Sequence, residues 1–536
     1  MKRVLPVICA VLVCAAAEAV AVPSALASDR CVGSKHGCYS AIQPAVDAAH
    51  DGDVIRIGPG TYAGGVVVDA SITLVGAGAR STVIRGGEHV LTVGVPGQSS
   101  APTVSVVGVT ITGGVATGDG NITFVGLGGG VLIPGTTTGI GATVTIKNSV
   151  IAGNRATPGS TTDSGDPCPG GANCLFAGGF GGGVADLGKL TLINTTVRDN
   201  VAGGGLASEA DGGGIWTATN GGPGALTLIR STVTGNTAVV SAPNGRFAQG
   251  AGIFVQDGES FTVRNSIISD NSSIVTSSFP GGLDVNANTA GIHIGGLGSA
   301  SIVNSRVTGN VASAAAPSGT PGANAAALGD GFSDVCVCGQ TLVLKNDVIA
   351  RNRTTASGGG FTIAGSAVEI DGGATISNTA IVGNQISATS AAGDAIAGGA
   401  LFAIDGEPDA LVMRESVVLR NTVEATSSTG TASAQGAGID NAGLLELHDV
   451  QVRDNSASAT GPSGSARGGG IWNGRPFAPD GPTPHLVLDD TTVSRNALSA
   501  SPGLAVEGGG IFTSGFPTTL VDSQIEHNTP DQCVGC

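Results

Sequence analysis

Charge is scarce in this chain, and so are aromatic and sulfur-bearing side chains: of 536 residues, 12% are charged and 3% aromatic, with two Met, two Trp and two Tyr. A disordered chain needs more charge and fewer aliphatics than the 41% hydrophobic content allows. A helical bundle could not carry 90 glycines, because each glycine inside a helix costs about 1 kcal/mol relative to alanine. Collagen would need glycine at every third position with abundant proline, and the glycines here follow no such period. What is left is an all-β chain punctuated by glycine. Cations are the scarcer charge, 24 Lys and Arg against 40 Asp and Glu for a net charge of -16, which argues against nucleic acid as a partner. Beyond the first residues no apolar run approaches the roughly 20 residues that span a bilayer, so no membrane insertion is expected.

The first residues have a different character. Lys2 and Arg3 precede an apolar run from Val4 to Ala17, and the small-residue triplet Ala25-Leu26-Ala27 follows. That pattern predicts a secretory signal over residues 1–27 and a secreted, extracellular mature chain. A membrane anchor is the alternative, and Pro6 and Glu18 interrupt the run it would need. Of the ten cysteines, Cys9 and Cys14 lie in this leader, and the rest form four local pairs: Cys31/Cys38, Cys168/Cys174, Cys336/Cys338 and Cys533/Cys536. Exported and even in number, they are expected as disulfides. The single residue between Cys336 and Cys338 strains that pairing. Histidines at zinc-finger spacing are missing, so no metal is expected, and no cofactor motif is present.

An internal repeat dominates the remainder. From residue 128 the chain divides into eleven units, each opening on small residues and an aliphatic or Phe, as in Gly212-Gly213-Gly214-Ile215, Gly358-Gly359-Gly360-Phe361 and Gly508-Gly509-Gly510-Ile511. An alternating stretch follows, such as Leu226-Thr227-Leu228, then a polar turn residue, then a V/I-x-x-N ending. The closing asparagines are Asn154, Asn200, Asn236, Asn271, Asn310, Asn352, Asn384, Asn421, Asn455, Asn496 and Asn528. A period of two over three to five residues, broken by Gly or Asn, predicts three short strands per unit. No unit has a core of its own, so the units must stack as a solenoid and bury matching aliphatics above and below. Within that stack each asparagine amide can donate to one coil and accept from the other, a structural ladder.

At this point the chain resembles the right-handed parallel β-helix of the pectin lyase-like superfamily. Its leading segment is similar to that family's opening, with Ala41-Ile42-Gln43-Pro44-Ala45-Val46-Asp47-Ala48-Ala49 as a capping helix, Ser40 as its cap, and Gly52-Asp53-Val54-Ile55-Arg56-Ile57 entering the first coil. The later units look like the GGA[ILV] and FxxN repeats of polymorphic outer membrane proteins, with Val or Ile in place of Phe. The resemblance implies a cap over residues 28–50 and one continuous single-stranded β-helix over 51–536, without the membrane barrel in which those outer membrane proteins end. It says little of activity, since the fold serves lyases, hydrolases, esterases, epimerases and adhesins.

Function is expected on one side of the solenoid. The residue after the inward aliphatic of each glycine corner should point outward, which gives Leu132, Ala185, Trp216, Phe254, His293, Ser333, Thr362, Phe402, Asp440, Trp472 and Phe512. Both tryptophans fall in this stripe. Trp216, Phe254, His293, Phe402, Trp472 and Phe512 would then form a ligand-binding platform, or else a satellite core beneath the unit-linking loops. The stripe carries none of the catalytic groups of polygalacturonases, pectate lyases or pectin esterases. Asp440, Asp334 and His293, on or beside it, are the residues placed for acid–base chemistry. Two functions follow: a non-catalytic, adhesin-like solenoid binding an extracellular glycan or cell-surface component, or an extracellular polysaccharide lyase or hydrolase.

Overall fold

The computed structural model describes residues 28–96, 101–118, 124–136, 141–159, 177–204, 207–218, 224–241, 247–256, 260–277, 285–296, 299–335, 341–404, 410–475 and 483–536. The leader 1–27 lies outside those residues, and so do Cys168, Cys174, Cys336 and Cys338, on which two of the expected disulfides fall. The chain is a right-handed parallel β-helix whose strands pair only with the equivalent strands of neighbouring coils. Among the described residues the strands form five sheets, labelled I to V in the order one coil visits them; sheets I, II and V begin in the first coils, and sheets III and IV begin at Val115–Thr117 and Phe124–Leu127. One full coil passes through Thr143–Lys147, Val150–Ala152, Arg155–Thr157, Ala177–Phe180 and Val184–Asp186. Among the described residues sheets I to V contain 15, 14, 11, 11 and 14 strands respectively.

Three strands per unit were expected, and the structure has five. Sheets III and IV occupy the stretch between each asparagine and the next glycine corner, where loops were anticipated. Their inward columns are built mostly of alanine, as with Ala312 and Ala314, then Ala325 and Ala327, all buried, with only occasional larger aliphatics such as Ile386 and Val423. A period-two signal carried by alanine is easily passed over, yet alanine is the side chain that fits where two short strands meet at a corner.

The phase of one unit is also corrected. Gly358-Gly359-Gly360-Phe361 is not a glycine corner: Gly358 closes a sheet III strand, and Thr362 is a buried member of sheet IV, paired with Ala325 and Ala395. The true corner of that coil is Gly365-Ser366-Ala367-Val368, so Glu369, not Thr362, takes the outward place. Where the corner is tightest, glycine is obligatory. A Cβ on Gly214 would lie 2.5 Å from Gly252 O and 3.0 Å from the Asn236 amide.

Inside, strict register stacks like on like. Leu190, Leu226 and Phe261 form one column of sheet I and Leu192, Leu228 and Val263 the next, each buried and contributing about 1.5–3 kcal/mol per large side chain. The asparagines form a continuous internal row. Asn154 Nδ2 donates to Asn200 Oδ1 at 3.0 Å and to Ile111 O at 3.2 Å, and the pattern repeats from coil to coil as far as Asn496 and Asn528. Gln532 Oε1 ends the row by accepting from Asn528. A second row runs beside it, unanticipated from sequence: Thr195 N donates to Ser231 Oγ, Ser231 N to Ser266 Oγ, Ser266 N to Ser305 Oγ and Ser305 N to Asp347 Oδ1. The polar turn residues between sheets I and II, such as Asn148, Asn194, Asp449 and Asp490, all have φ near +50°, a conformation that Asn and Asp tolerate best among residues with a Cβ.

The N-terminal cap is smaller than expected. Asp29–Val32 already pairs with Val54–Ile57 as the first strand of sheet I, so the stack begins before residue 51. The helix is Ile42–Asp47, and its N-cap is Ala41 with no side-chain bond rather than Ser40. It covers the open end of the core with Ile42, Ala45 and Val46. Of the four expected disulfides, the described residues contain two, Cys31 to Cys38 and Cys533 to Cys536, one at each end of the stack. The pairs Cys168/Cys174 and Cys336/Cys338 stay expectations of the sequence, since all four of those cysteines lie outside the described residues. Among the described residues no helix is long and apolar enough to cross a membrane.

Candidate functional site

Sheet V aligns the outward stripe residue on residue: Leu132, Ala185, Trp216, Phe254, His293, Ser333, Glu369, Phe402, Asp440, Trp472 and Phe512 are register partners in that order. Neighbours in this column are one strand spacing apart, roughly 4.8 Å. Most of the column is shielded from solvent. Phe254, Trp472 and Phe512 are 8%, 6% and 9% exposed, while Trp216 and Phe402 are half-buried. Trp216 stacks on Phe180 at 5.6 Å between ring centroids, Phe254 on His293 at 5.1 Å, and Arg467 lies over the Phe512 ring at 4.9 Å.

The middle of the column is polar. Ser333 Oγ donates to Glu369 Oε2 at 3.1 Å. Burial pushes the Glu369 carboxyl up to about 7, against the Ser333 hydrogen bond and with help from the charge of Asp371. Asp334, next to Ser333, is fully shielded, and neither of its oxygens has a hydrogen-bond partner. Burial, then the charges of Asp371 and Glu369, lift it to about 8. Asp440 stands two strands beyond Glu369 across Phe402 and is raised to about 8 by burial, with Gln435 Nε2 donating to its Oδ2 at 3.2 Å. His293 is pushed down to about 4 by burial, so its imidazole is neutral, and its Nδ1 lies 3.2 Å from Thr289 Oγ1. A carboxyl that keeps its proton near neutral pH is suited to general acid–base chemistry.

Asp334, His293 and Asp440 are therefore within one stretch of sheet V, and Glu369 and Asp371 join them. Sequence reading missed Glu369 because the triple glycine upstream drew the corner to the wrong place; counting back from the next corner, Gly398-Gly399-Ala400, would have found it. Among the described residues no group of three or more His, Cys, Asp or Glu is arranged to hold a metal ion. No Lys or Arg occurs in the strands of sheets IV and V on the coils of His293, Ser333 and Glu369.

No family model and no curated protein matches this sequence. Among solved structures the chain is similar to the A-module of the Azotobacter vinelandii mannuronan C-5 epimerase AlgE4, at 13% identity and a TM-score of 0.27 over 92% of this chain and 94% of that one. It is similar also to the A-module of AlgE6 from the same organism, at 11% identity and a TM-score of 0.28 over 92% and 95%.

Proposed function

We propose that this is an exported β-helix enzyme acting on a polysaccharide, with its acid–base centre at Glu369 and Asp440 on sheet V. The observation that carries the reading is the Ser333–Glu369 pair among carboxyls held near neutral titration on adjoining strands. Glu369 and Asp440 lie on the same column of sheet V, two strands apart across Phe402, and a pair of carboxyls on one face is what glycoside hydrolysis employs to protonate the leaving oxygen and activate water. Among the described residues no cation lies in the sheet IV and V strands on the coils of Ser333 and Glu369, which favours a neutral glycan, because uronate carboxylates would stand unneutralised against Glu369. The signal-like leader and the two terminal disulfides support export.

A second reading, a non-catalytic glycan-binding or adhesin-like solenoid of the kind its repeats resemble, is supported by one feature. The stacked Phe180 and Trp216 pair stays half-exposed and could take a sugar ring face to face. The deciding experiment incubates the mature protein with neutral and acidic polysaccharides and measures new reducing ends and unsaturated products. Reducing ends that vanish in Glu369→Gln and Asp440→Asn variants support the enzyme. Binding on a glycan array without any product supports the second reading.

A further inference from the structure

The cations of this acidic chain are not spread evenly. Arg264, Lys345 and Arg414 occupy the last position of their sheet I strands, and register places them in one column on alternate coils, with Val303 and Ser377 between them. The column stands at the corner between sheets I and II, away from the sheet V stripe. Arg230 and Arg306 flank it, and Arg351 and Arg420 lie at the far end of the same sheet II segments. All seven are exposed, and none takes part in an ion pair among the described residues. The exposed acids of the same segments are Asp270 and Glu415. On the later coils the cations are paired instead: Arg453 and Arg495 both pair with Asp454, and Arg467 pairs with Glu507.

Five cations without ion-pair partners on one corner, with two more across the short strands of sheet II, repel one another in a protein with a net charge of -16, and nothing in the fold requires them, since each side chain leaves the stack. We propose that this corner binds a linear anionic polysaccharide, a chain bearing uronate or sulfate groups, laid parallel to the solenoid axis. Three features select that chemistry. The column repeats every second strand, roughly 10 Å, the scale of two successive sugars in an extended chain, so the acid of every second sugar of a polyuronate or sulfated glycan can meet a cation, whereas phosphates along one nucleic acid strand follow every ~3.4 Å. No exposed aromatic side chain occurs in these segments, so bases would find no stacking platform and a bilayer no interfacial anchor. Exposed turn amides adjoin the cations, with Asn346 Nδ2 donating to Asn304 Oδ1 at 2.9 Å, and amides beside guanidinium groups are equipped to meet sugar hydroxyls as well as carboxylates or sulfates.

The corner is independent of the sheet V reading, so each can fail alone. The experiment measures binding of the mature protein to polygalacturonate and dextran sulfate at low and high salt, with neutral dextran as control. Binding to both polyanions, or to one and so identifying the acid group, is expected, falling with salt and absent for dextran. The triple variant Arg264→Gln/Lys345→Gln/Arg414→Gln should bind about tenfold or more weakly with unchanged circular dichroism. Arg453→Gln/Arg495→Gln, which removes the same kind of charge from a paired site, and Glu369→Gln should bind like the parent. Wild-type affinity in the triple variant overturns the proposal, as does the lack of binding to either polyanion at low salt. Equal or tighter binding to poly(dT) or to phosphatidylglycerol vesicles overturns the choice of a polysaccharide.

Discussion

Two sides of one solenoid treat charge in opposite ways. On sheet V, carboxyls are buried without cations, so they hold their protons; at the corner of sheets I and II, cations are exposed without acids paired to them, so they remain free for a ligand. The comparison shows how a β-helix keeps two chemical environments apart. Because the coils from Thr103 onward repeat the same five strands, a position within the coil becomes a column along the molecule, and changing one residue type per coil writes a chemical stripe without disturbing the core. Two stripes on different sheets can then evolve independently while they share the interior ladders.

The shared interior gives the largest expected effect and the sharpest control. Asn310 accepts from Asn271 N and Nδ2, and its own Nδ2 donates to Ile268 O and Asn352 Oδ1. Asn310→Leu strands several of these groups in a dry core at about 1–3 kcal/mol each. Arg306→Gln, exposed on the same coil, should change stability by less than about 0.5 kcal/mol. Equal melting temperatures for the two would show that the ladder does not hold the stack together. Next in size, on the proposed reading of Glu369 and Asp440 as an acid–base centre, is the loss of reaction in Glu369→Gln. General acid–base groups contribute about 100-fold or more, so the turnover should fall by at least that factor while polyanion binding at the other side is untouched. Loss of both together would mean that the two sides are one site.

How much of this could be read in the amino-acid sequence depends on what signals each element. The asparagine row was legible because V/I-x-x-N recurs in all eleven units from residue 128 and its amide has an obvious partner above and below. The aromatic column was legible because an outward position follows from alternation. Sheets III and IV were not, since their inward residues, such as Ala356 and Ala388, are too small to register as a hydrophobic pattern. Glu369 was hidden by a local coincidence: Gly358-Gly359-Gly360 mimics a corner, while the real corner keeps only Gly365. The hydroxyl row escaped notice because Ser, Thr and Asp347 share no single residue type, only a geometry. The cation column escaped because it repeats on alternate coils.

The contrast between the two sides also has a pH signature. Asp334 and Asp440 each rise from an ordinary 3.8 to about 8, and Glu369 from 4.5 to about 7, on folding. Between the unfolded and folded values the native protein binds more protons than the unfolded chain, so stability is greatest below about pH 4 for these groups and declines as pH rises toward 8. Each group contributes at most about 1.4 kcal/mol per pH unit over that window. Asp53, lowered to about 2 chiefly by backbone hydrogen bonds from His50 and Ser28, acts with the opposite sign, its stabilisation disappearing only as pH falls through about 2. Melting temperatures should therefore decline from pH 5 to pH 8, and Asp334→Asn, which keeps the shape without the titration, should flatten the decline. An unchanged slope in that variant would place the pH dependence elsewhere.

The smallest effect separates two coils of the stripe itself. Trp472 is 6% exposed, whereas Trp216 is half-buried and stacked on Phe180. These are the two tryptophans of the chain, so Trp216→Phe and Trp472→Phe each leave a single reporter in place. Acrylamide should quench the protein that retains Trp216 more efficiently than the one that retains Trp472, and the difference should disappear in denaturant, where both rings meet solvent. A neutral glycan that lies on sheet V near Trp216 would protect that residue from the quencher and leave the Trp472 signal as it was. Polygalacturonate bound at the cation column would protect neither, because that column stands at another corner of the coil. Protection of Trp216 by the polyanion would bring the acidic polymer to sheet V and erase the distinction between the two sides.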